Sequence, residues 1–200
     1  MARAYHQLTA RDNGYFNANI KVNEGAERLA EAHQDKYDRI LSVFKYGDVE
    51  KAKSIAGTMD EAIKKSSVVI DRHSMLIMGV EHNKWIDDNY LIIGKANFFK
   101  KDYFQAMETF QYVVHQYKDK PSRYEALLWM MKIYIDQGNL DDAENIMDFV
   151  NSESKFPKKL RSEFAAASAS FYIQKKNYPK AIESLTKAVN LIKRKRAEKT

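Results

Sequence analysis

The chain has 200 residues, of which only seven are Gly and three are Pro, so turn-rich all-β folds, whose corners need both residues, are disfavoured. It has no cysteine, which excludes disulfides, cysteine-ligated metals and thiol nucleophiles. Lysine and arginine exceed aspartate and glutamate by six, but most of this excess lies in the last eight residues, and no apolar run approaches the roughly 18 residues of a membrane span.

The N-terminal residues are rich in aromatic side chains and asparagine and show no clear hydrophobic period. They also lack the apolar stretch of a signal peptide. We expect residues 1–22 to form a short segment that caps the first helical hairpin.

A short pattern then appears four times along the chain. It consists of Gly or Lys, then Asp or Asn, then an apolar residue, and an Ala three residues further on. The Asp or Asn is a typical helix N-cap, and the small Ala lets two helices of a hairpin cross closely. The four copies are Gly47–Ala52, Lys101–Ala106, Gly138–Ala143 and Lys176–Ala181. The first copy predicts a degenerate hairpin over residues 24–57.

The gap between the first two copies is longer than one repeat, since Ala52 and Ala106 are 54 residues apart. Thr58–Glu61 has the form of a capping box, with Thr at the cap and Glu three residues later. The residues that would share one face of the following helix are Ile63, Ser67, Ile70 and Ser74. We therefore predict an inserted helix over residues 59–79.

Three regular hairpins are predicted over residues 85–195. Ala106, Ala143 and Ala181 are 37 and 38 residues apart, close to the tetratricopeptide period of about 34 residues. Gly94 precedes Ala106 by twelve residues, at the small-residue position of such a repeat. The predicted fold is all-α: a tetratricopeptide-like helical-hairpin solenoid with one extra helix inserted after the first hairpin. Its parts are residues 1–22, 23–84 and 85–200 of a single continuous domain.

Solenoids of this type bind ligands in a concave groove lined by the first helix of each hairpin. Repeat positions predict that one first helix presents Asp88, Leu91, Lys95, Phe98 and Phe99 to the groove, and the next one presents Glu125, Leu128, Lys132, Ile135 and Asp136. Candidates in the last hairpin are Glu163, Ser170, Ile173 and Gln174. Lys95 and Lys132 occupy equivalent positions and could together hold an acidic peptide segment, although lysines at such places often only keep a helix soluble.

Catalytic and metal-binding motifs are not found in the sequence. The five histidines lack ligand spacing, and the acid pairs Asp87/Asp88 and Asp141/Asp142 fall in predicted first turns, where carboxylates favour the helix dipole. We therefore expect no enzyme activity, no metal and no cofactor.

The cations between Lys193 and Lys199 continue the last predicted helix. They suggest an alternative function, a cytoplasmic basic adaptor that contacts nucleic acid or anionic surfaces through this tail. A solvated helix end is the competing interpretation, and we expect proteins rather than nucleic acid as partners.

Longer strings carry a more specific resemblance. YHQLTARDNGYFN (Tyr5–Asn17), YDRILSVFKYGD (Tyr37–Asp48), IDRHSM (Ile70–Met75) and the segment Trp85–Phe110 are similar to the N-terminal region of the Bacteroidetes gliding-motility and type IX secretion tetratricopeptide lipoproteins, of the SprE/PorW type. The resemblance covers most of residues 5–118, and residues 120–195 match only as further repeats.

This resemblance implies a non-enzymatic scaffold at the periplasmic face of the outer membrane, whose partners are other secretion or motility components. Members of the family carry a signal peptide and a lipidated cysteine, and this chain has neither, so a membrane contact would need an anchor that the chain lacks. The chain is then expected to be an excised segment or a short relative, and otherwise a cytoplasmic paralogue.

Overall fold

The structure, a computed structural model, describes residues 2–197. Within that range the chain forms helices α1 (Ala2–Thr9), α2 (Phe16–Glu31), α3 (Val49–His73), α4 (Ile86–Phe99), α5 (Tyr103–Gln116), α6 (Pro121–Gln137), α7 (Leu140–Ser152), α8 (Arg161–Gln174) and α9 (Tyr178–Ala197). A π-helical turn, Ala10–Tyr15, joins α1 to α2, and a 3₁₀ turn, Lys158–Leu160, precedes α8. Two short antiparallel strands, β1 (Leu76–Ile77) and β2 (Val80–Glu81), follow α3. The predicted all-α array of helical hairpins is confirmed.

Two compact units make up this array. Unit 1 contains the chain up to Lys36 together with Lys45–Lys118, and in it α2 packs on α3, α3 on α4, and α4 on α5. Unit 2 contains Tyr37–Phe44 together with the chain from Asp119 onward, and in it α8 packs against α6, α7 and α9. The single continuous domain stays a prediction.

The N-terminal segment is helical, and α2 runs through the predicted boundary after residue 22. Ala10, in the π-helical turn, is fully buried in a cluster with Val69 of α3 and Ile86 of α4. A Cβ on Gly14 would lie 1.9 Å from Val69 Cγ2, so only glycine allows this close approach. A π-helical turn shifts the spacing of buried residues away from 3.6, which explains why no period is visible in this stretch.

The prediction of a separate inserted helix over residues 59–79 is wrong, because these residues continue α3 as far as His73. Thr58 lies inside this 25-residue helix and caps nothing. The buried row of α3 repeats every three or four residues without interruption: Ala52, Ile55, Met59, Ala62, Ser66, Val69 and His73. This row is offset by one residue from the predicted face, and its continuity keeps the helix intact past Gly57.

The three hairpins of α4–α5, α6–α7 and α8–α9 turn in the same way. In each, the residue before the predicted cap has a left-handed backbone, and the cap residue's N–H donates to the carbonyl oxygen five residues earlier, a Schellman arrangement. The φ angles are 64° at Lys101, 76° at Gly138 and 56° at Lys176. The bonds run from Asp102 N to Asn97 O, from Asn139 N to Tyr134 O and from Asn177 N to Tyr172 O, at 2.8–2.9 Å.

The predicted N-caps are confirmed as side-chain caps at three of the four sites. The carboxylate of Asp48 accepts from Lys51 N at 2.9 Å and that of Asp102 from Gln105 N at 3.4 Å. The amide oxygen of Asn177 accepts from Lys180 N at 3.3 Å. Asn139 stands at the N-cap position of α7 without such a bond, and its amide donates to Asp142 instead.

Replacing Lys176 by glycine is expected to stabilise the protein by about 0.5–1 kcal/mol. A left-handed conformation costs an L-residue about 1–2 kcal/mol, and the extra chain entropy of glycine offsets only part of that gain. The matched control is Gly138→Ala at the equivalent turn, where an added Cβ would have no heavy atom within 4 Å. This control should destabilise by about 1 kcal/mol. Denaturant unfolding measures both, and a loss of stability in Lys176→Gly would contradict the expected backbone strain.

Candidate functional site

Most of the groove residues predicted on α4, the first helix of the unit 1 repeat, are buried. Leu91, Phe98 and Phe99 are at most 6% exposed. Helix α4 is buried on most of its sides because it packs against α2, α3 and α5, which explains the burial of Leu91. The prediction that these three side chains line an open groove is wrong. Asp88 and Lys95 are half-buried, and their role stays a prediction.

A tyrosine from the segment before α3 covers the end of α4. The ring of Tyr46 packs edge-on against Phe98, with centroids 4.8 Å apart, and against Phe99, at 5.8 Å. Edge-to-face pairs at these distances are favourable. Phe98 and Phe99, which were predicted to face the groove, are thus covered by a ring of the chain itself.

The first helix of unit 2, α6, buries the second predicted lysine. Lys132 is 3% exposed and Leu128 is fully buried. The ammonium of Lys132 forms an ion pair with the carboxylate of Glu163 on α8. Its Nζ also lies 3.8 Å from the ring centroid of Trp129 and 4.9 Å from that of Phe44. The prediction that Leu128 and Lys132 line an open groove is wrong, because Leu128 lies in the core and the charge of Lys132 is already matched within unit 2.

The contacts around Lys132 follow from the free-energy cost of burying a charge. An ammonium removed from water needs an opposite charge and further favourable contacts, which here are Glu163 and two aromatic faces. Glu163 was a predicted groove residue, and the structure gives it the role of counter-charge. Trp129 was not predicted, because a tryptophan on an apolar helix resembles any other core residue.

Other polar contacts tie α6 to α8 and to the 3₁₀ turn that precedes α8. The Nε2 of Gln174 donates to the carbonyl oxygen of Ile135 at 2.8 Å. Lys159 Nζ lies 3.8 Å from an oxygen of Glu125, which is half-buried. Asp136 is exposed near the end of α6. The first-helix surface of unit 2 is therefore pre-organised, and a groove role for Glu125 and Asp136 stays a prediction.

The connection between α2 and α3 is the element that the sequence did not reveal. Its 17 residues, from Ala32 to Asp48, form neither helix nor strand, whereas the regular hairpins are joined by two or three residues. Irregular connections of this length in compact proteins are uncommon and often functional. Tyr46 reaches α4 within unit 1, and Phe44 reaches α6 within unit 2. The missing hydrophobic period over residues 32–48 was the available signal.

Two histidines, far apart in sequence, meet in unit 1. His6 Nδ1 and His73 Nδ1 are 2.9 Å apart, a hydrogen bond in which one ring must be the donor. The ring of Tyr5 lies edge-on to both. Among residues 2–197, no group of three or more His, Asp or Glu side chains is placed to hold a metal ion.

The stability of unit 1 should decrease at acidic pH because of His73. Burial lowers the pKa of His73, and the neighbouring His6 and Arg72 lower it further because they disfavour a second positive charge. In the unfolded chain, His73 therefore takes up its proton as the pH falls through about 6.5, whereas in the folded protein it does so only at lower pH. The stability of the folded protein consequently falls as the pH falls through this range. We expect His73→Gln to lose less stability than the unchanged protein between about pH 7.5 and about pH 5.5. The control is the exposed His115→Gln in α5, and equal pH slopes for all three proteins would contradict a role of His73.

The basic end of the chain forms the last turns of α9. Lys193, Arg194, Lys195 and Arg196 are exposed, while Glu198 and Lys199 lie outside the described residues. A contact of this tail with nucleic acid stays a prediction. None of the helices within residues 2–197 is both long and apolar enough to cross a membrane.

Comparison with known proteins identifies one repeat. The tetratricopeptide repeat family matches residues 88–120, which cover most of α4, all of α5 and the turn that follows. No curated protein matches the chain. The hairpins α6–α7 and α8–α9 turn as α4–α5 does, with the same left-handed residue before the second helix. The chain contains a tetratricopeptide repeat, and its fold is an all-α solenoid of the tetratricopeptide type.

Proposed function

We propose that this protein is a non-enzymatic scaffold that binds other proteins through the first helices of its hairpins. The observation that carries the proposal is the tetratricopeptide repeat at residues 88–120, since domains of this type typically bind protein segments. The pre-organised α6–α8 surface of unit 2 supports it, because fixed side chains lower the cost of ordering an interface.

Two single substitutions test which surface binds. The tagged protein is cross-linked in its own cells, and its partners are compared with those of Asp136→Arg and Asp148→Arg. Asp136 is exposed on the first helix α6, and the control, Asp148, is exposed on the second helix α7. We expect Asp136→Arg alone to reduce partner capture. Equal loss in both variants would contradict the first-helix assignment, and the absence of any partner would contradict the scaffold function.

We propose that the protein is located at the periplasmic face of the outer membrane, where it supports type IX protein secretion and gliding motility. The support is the resemblance of residues 5–118, carried by the segments Tyr5–Asn17, Tyr37–Asp48, Ile70–Met75 and Trp85–Phe110. Its partners would be other components of that machinery. Deleting the gene should then abolish secretion of type IX substrates and gliding, and restoring it should rescue both. Normal secretion in the deletion strain, or a cytoplasmic location of the protein, would contradict this setting.

A further inference from the structure

The irregular segment Tyr37–Phe44 behaves as part of unit 2, although it lies between two helices of unit 1 in the sequence. We call it the cover segment. Its contact with α6 is made by Phe44, whose ring lies 4.9 Å from Lys132 Nζ. In tetratricopeptide-type hairpins, a bound peptide is expected to contact the first helix. The cover segment contacts α6, which is such a first helix.

The cover segment is held at one end and exposed along the rest. Val43 and Phe44 are half-buried, whereas Tyr37, Ile40 and Leu41 are 85%, 57% and 40% exposed. A segment that packed permanently into the fold would bury such large apolar side chains, because each is worth about 1.5–3 kcal/mol when buried. This one gains little from its place, so a competing ligand can displace it at low cost.

The receiving surface has a defined chemistry. Lys132 Nζ lies near the rings of both Trp129 and Phe44, and Glu163 neutralises its charge. A fixed, charge-paired ammonium beside an indole favours an aromatic ring over an acidic group, because the ring contacts the cation without adding a second negative charge. The occupant that fits is an extended peptide with an aromatic residue at its anchored end.

We infer that the Trp129–Lys132–Glu163 surface of unit 2 binds extended segments of partner proteins through an aromatic anchor, and that the cover segment occupies this surface until a partner displaces it. The inference rests on the scaffold function proposed above and names the class of ligand for one of its surfaces. The intramolecular ligand acts at an effective concentration in the millimolar range, so it suppresses binding of a free peptide that is present at micromolar concentration.

The test uses a fluorescent synthetic peptide with the sequence of residues 37–44, YDRILSVF. Its affinity is measured by anisotropy for the full chain and for an opened variant in which residues 37–44 are replaced by eight Gly and Ser residues. We expect the opened variant to bind at least about tenfold more tightly. A peptide with Ala in place of Phe44 should lose this binding. Circular dichroism checks that the variant is folded, and if it is not, the full-chain Phe44→Ala variant takes its place.

Two results would overturn the inference. Equal affinity for the opened and unchanged proteins would show that the cover segment does not occupy the site. Absence of binding to both would show that the surface does not receive this segment. Neither result touches the scaffold function, which is tested separately by partner capture with Asp136→Arg.

Discussion

Replacing Glu163 by alanine is expected to lower the free energy of unfolding by about 2 kcal/mol. The substitution leaves the ammonium of Lys132 without its counter-charge, at a position where the lysine side chain is 2% exposed. Breaking a fully buried ion pair costs about 3–5 kcal/mol. The side chain of Glu163 is 39% exposed, so water screens part of this interaction and the expected loss is smaller. Denaturant unfolding of the full chain measures it.

The same substitution at Glu144 is a matched control in the same unit. Glu144 pairs with Lys175 at 2.5 Å, and its side chain is 41% exposed, nearly as much as that of Glu163. The two pairs differ in the lysine, which is 34% exposed at Lys175. Glu144→Ala should therefore cost less than about 1 kcal/mol. Equal losses at the two sites would contradict the claim that burial of the ammonium decides the effect.

A double variant separates charge from packing. When Lys132→Met accompanies Glu163→Ala, no buried charge remains, and stability should return to within about 1 kcal/mol of the original. Methionine keeps most of the lysine stem and can pack against Trp129. A double variant as unstable as Glu163→Ala alone would show that lost packing, rather than the orphaned charge, caused the destabilisation.

The regular hairpins could be predicted because their signals are local in sequence. A cap residue, a small residue and a helix-breaking turn lie within a few positions of each other at Lys101–Ala106, Gly138–Ala143 and Lys176–Ala181. Each signal reflects backbone chemistry that does not depend on distant residues: a carboxylate or amide that accepts from N–H groups, or a left-handed residue that ends a helix. The spacing of these signals was therefore enough to place α4 to α9.

The candidate site could not be predicted, because long-range contacts decide it. Lys132 has the repeat position of a groove lysine, but in the structure it is buried and paired with Glu163 on α8. A sequence pattern cannot show this contact between two helices. Phe44 comes from a connection with no periodic pattern and reaches a helix that begins at residue 121. The length of α3 was missed for a related reason: Gly57 and Thr58 resemble a helix boundary locally, but neighbours bury a continuous row across them.

Replacing Gly94 by alanine is expected to destabilise unit 1 by about 1–2 kcal/mol. A Cβ at this position would lie 2.4 Å from Cε1 and 2.6 Å from Cζ of Phe110. Phe110 is fully buried on α5, so its ring has little room to withdraw. Overpacking of this kind costs about 1–3 kcal/mol, and the better helix propensity of alanine returns up to about 1 kcal/mol. Thermal or denaturant unfolding of the single variant measures the difference.

The same substitution at Gly57 should have the opposite sign. Gly57 is exposed inside α3, and an added Cβ there has no heavy atom within 4 Å. Gly57→Ala therefore keeps only the propensity gain and should stabilise by about 0.5–1 kcal/mol. Phe110→Leu combined with Gly94→Ala should recover part of the loss, because leucine lacks the ring atoms that the new methyl group meets. If both alanine substitutions stabilised the protein, the close contact between α4 and α5 at Gly94 would be wrong, and with it the reason for a glycine at this repeat position.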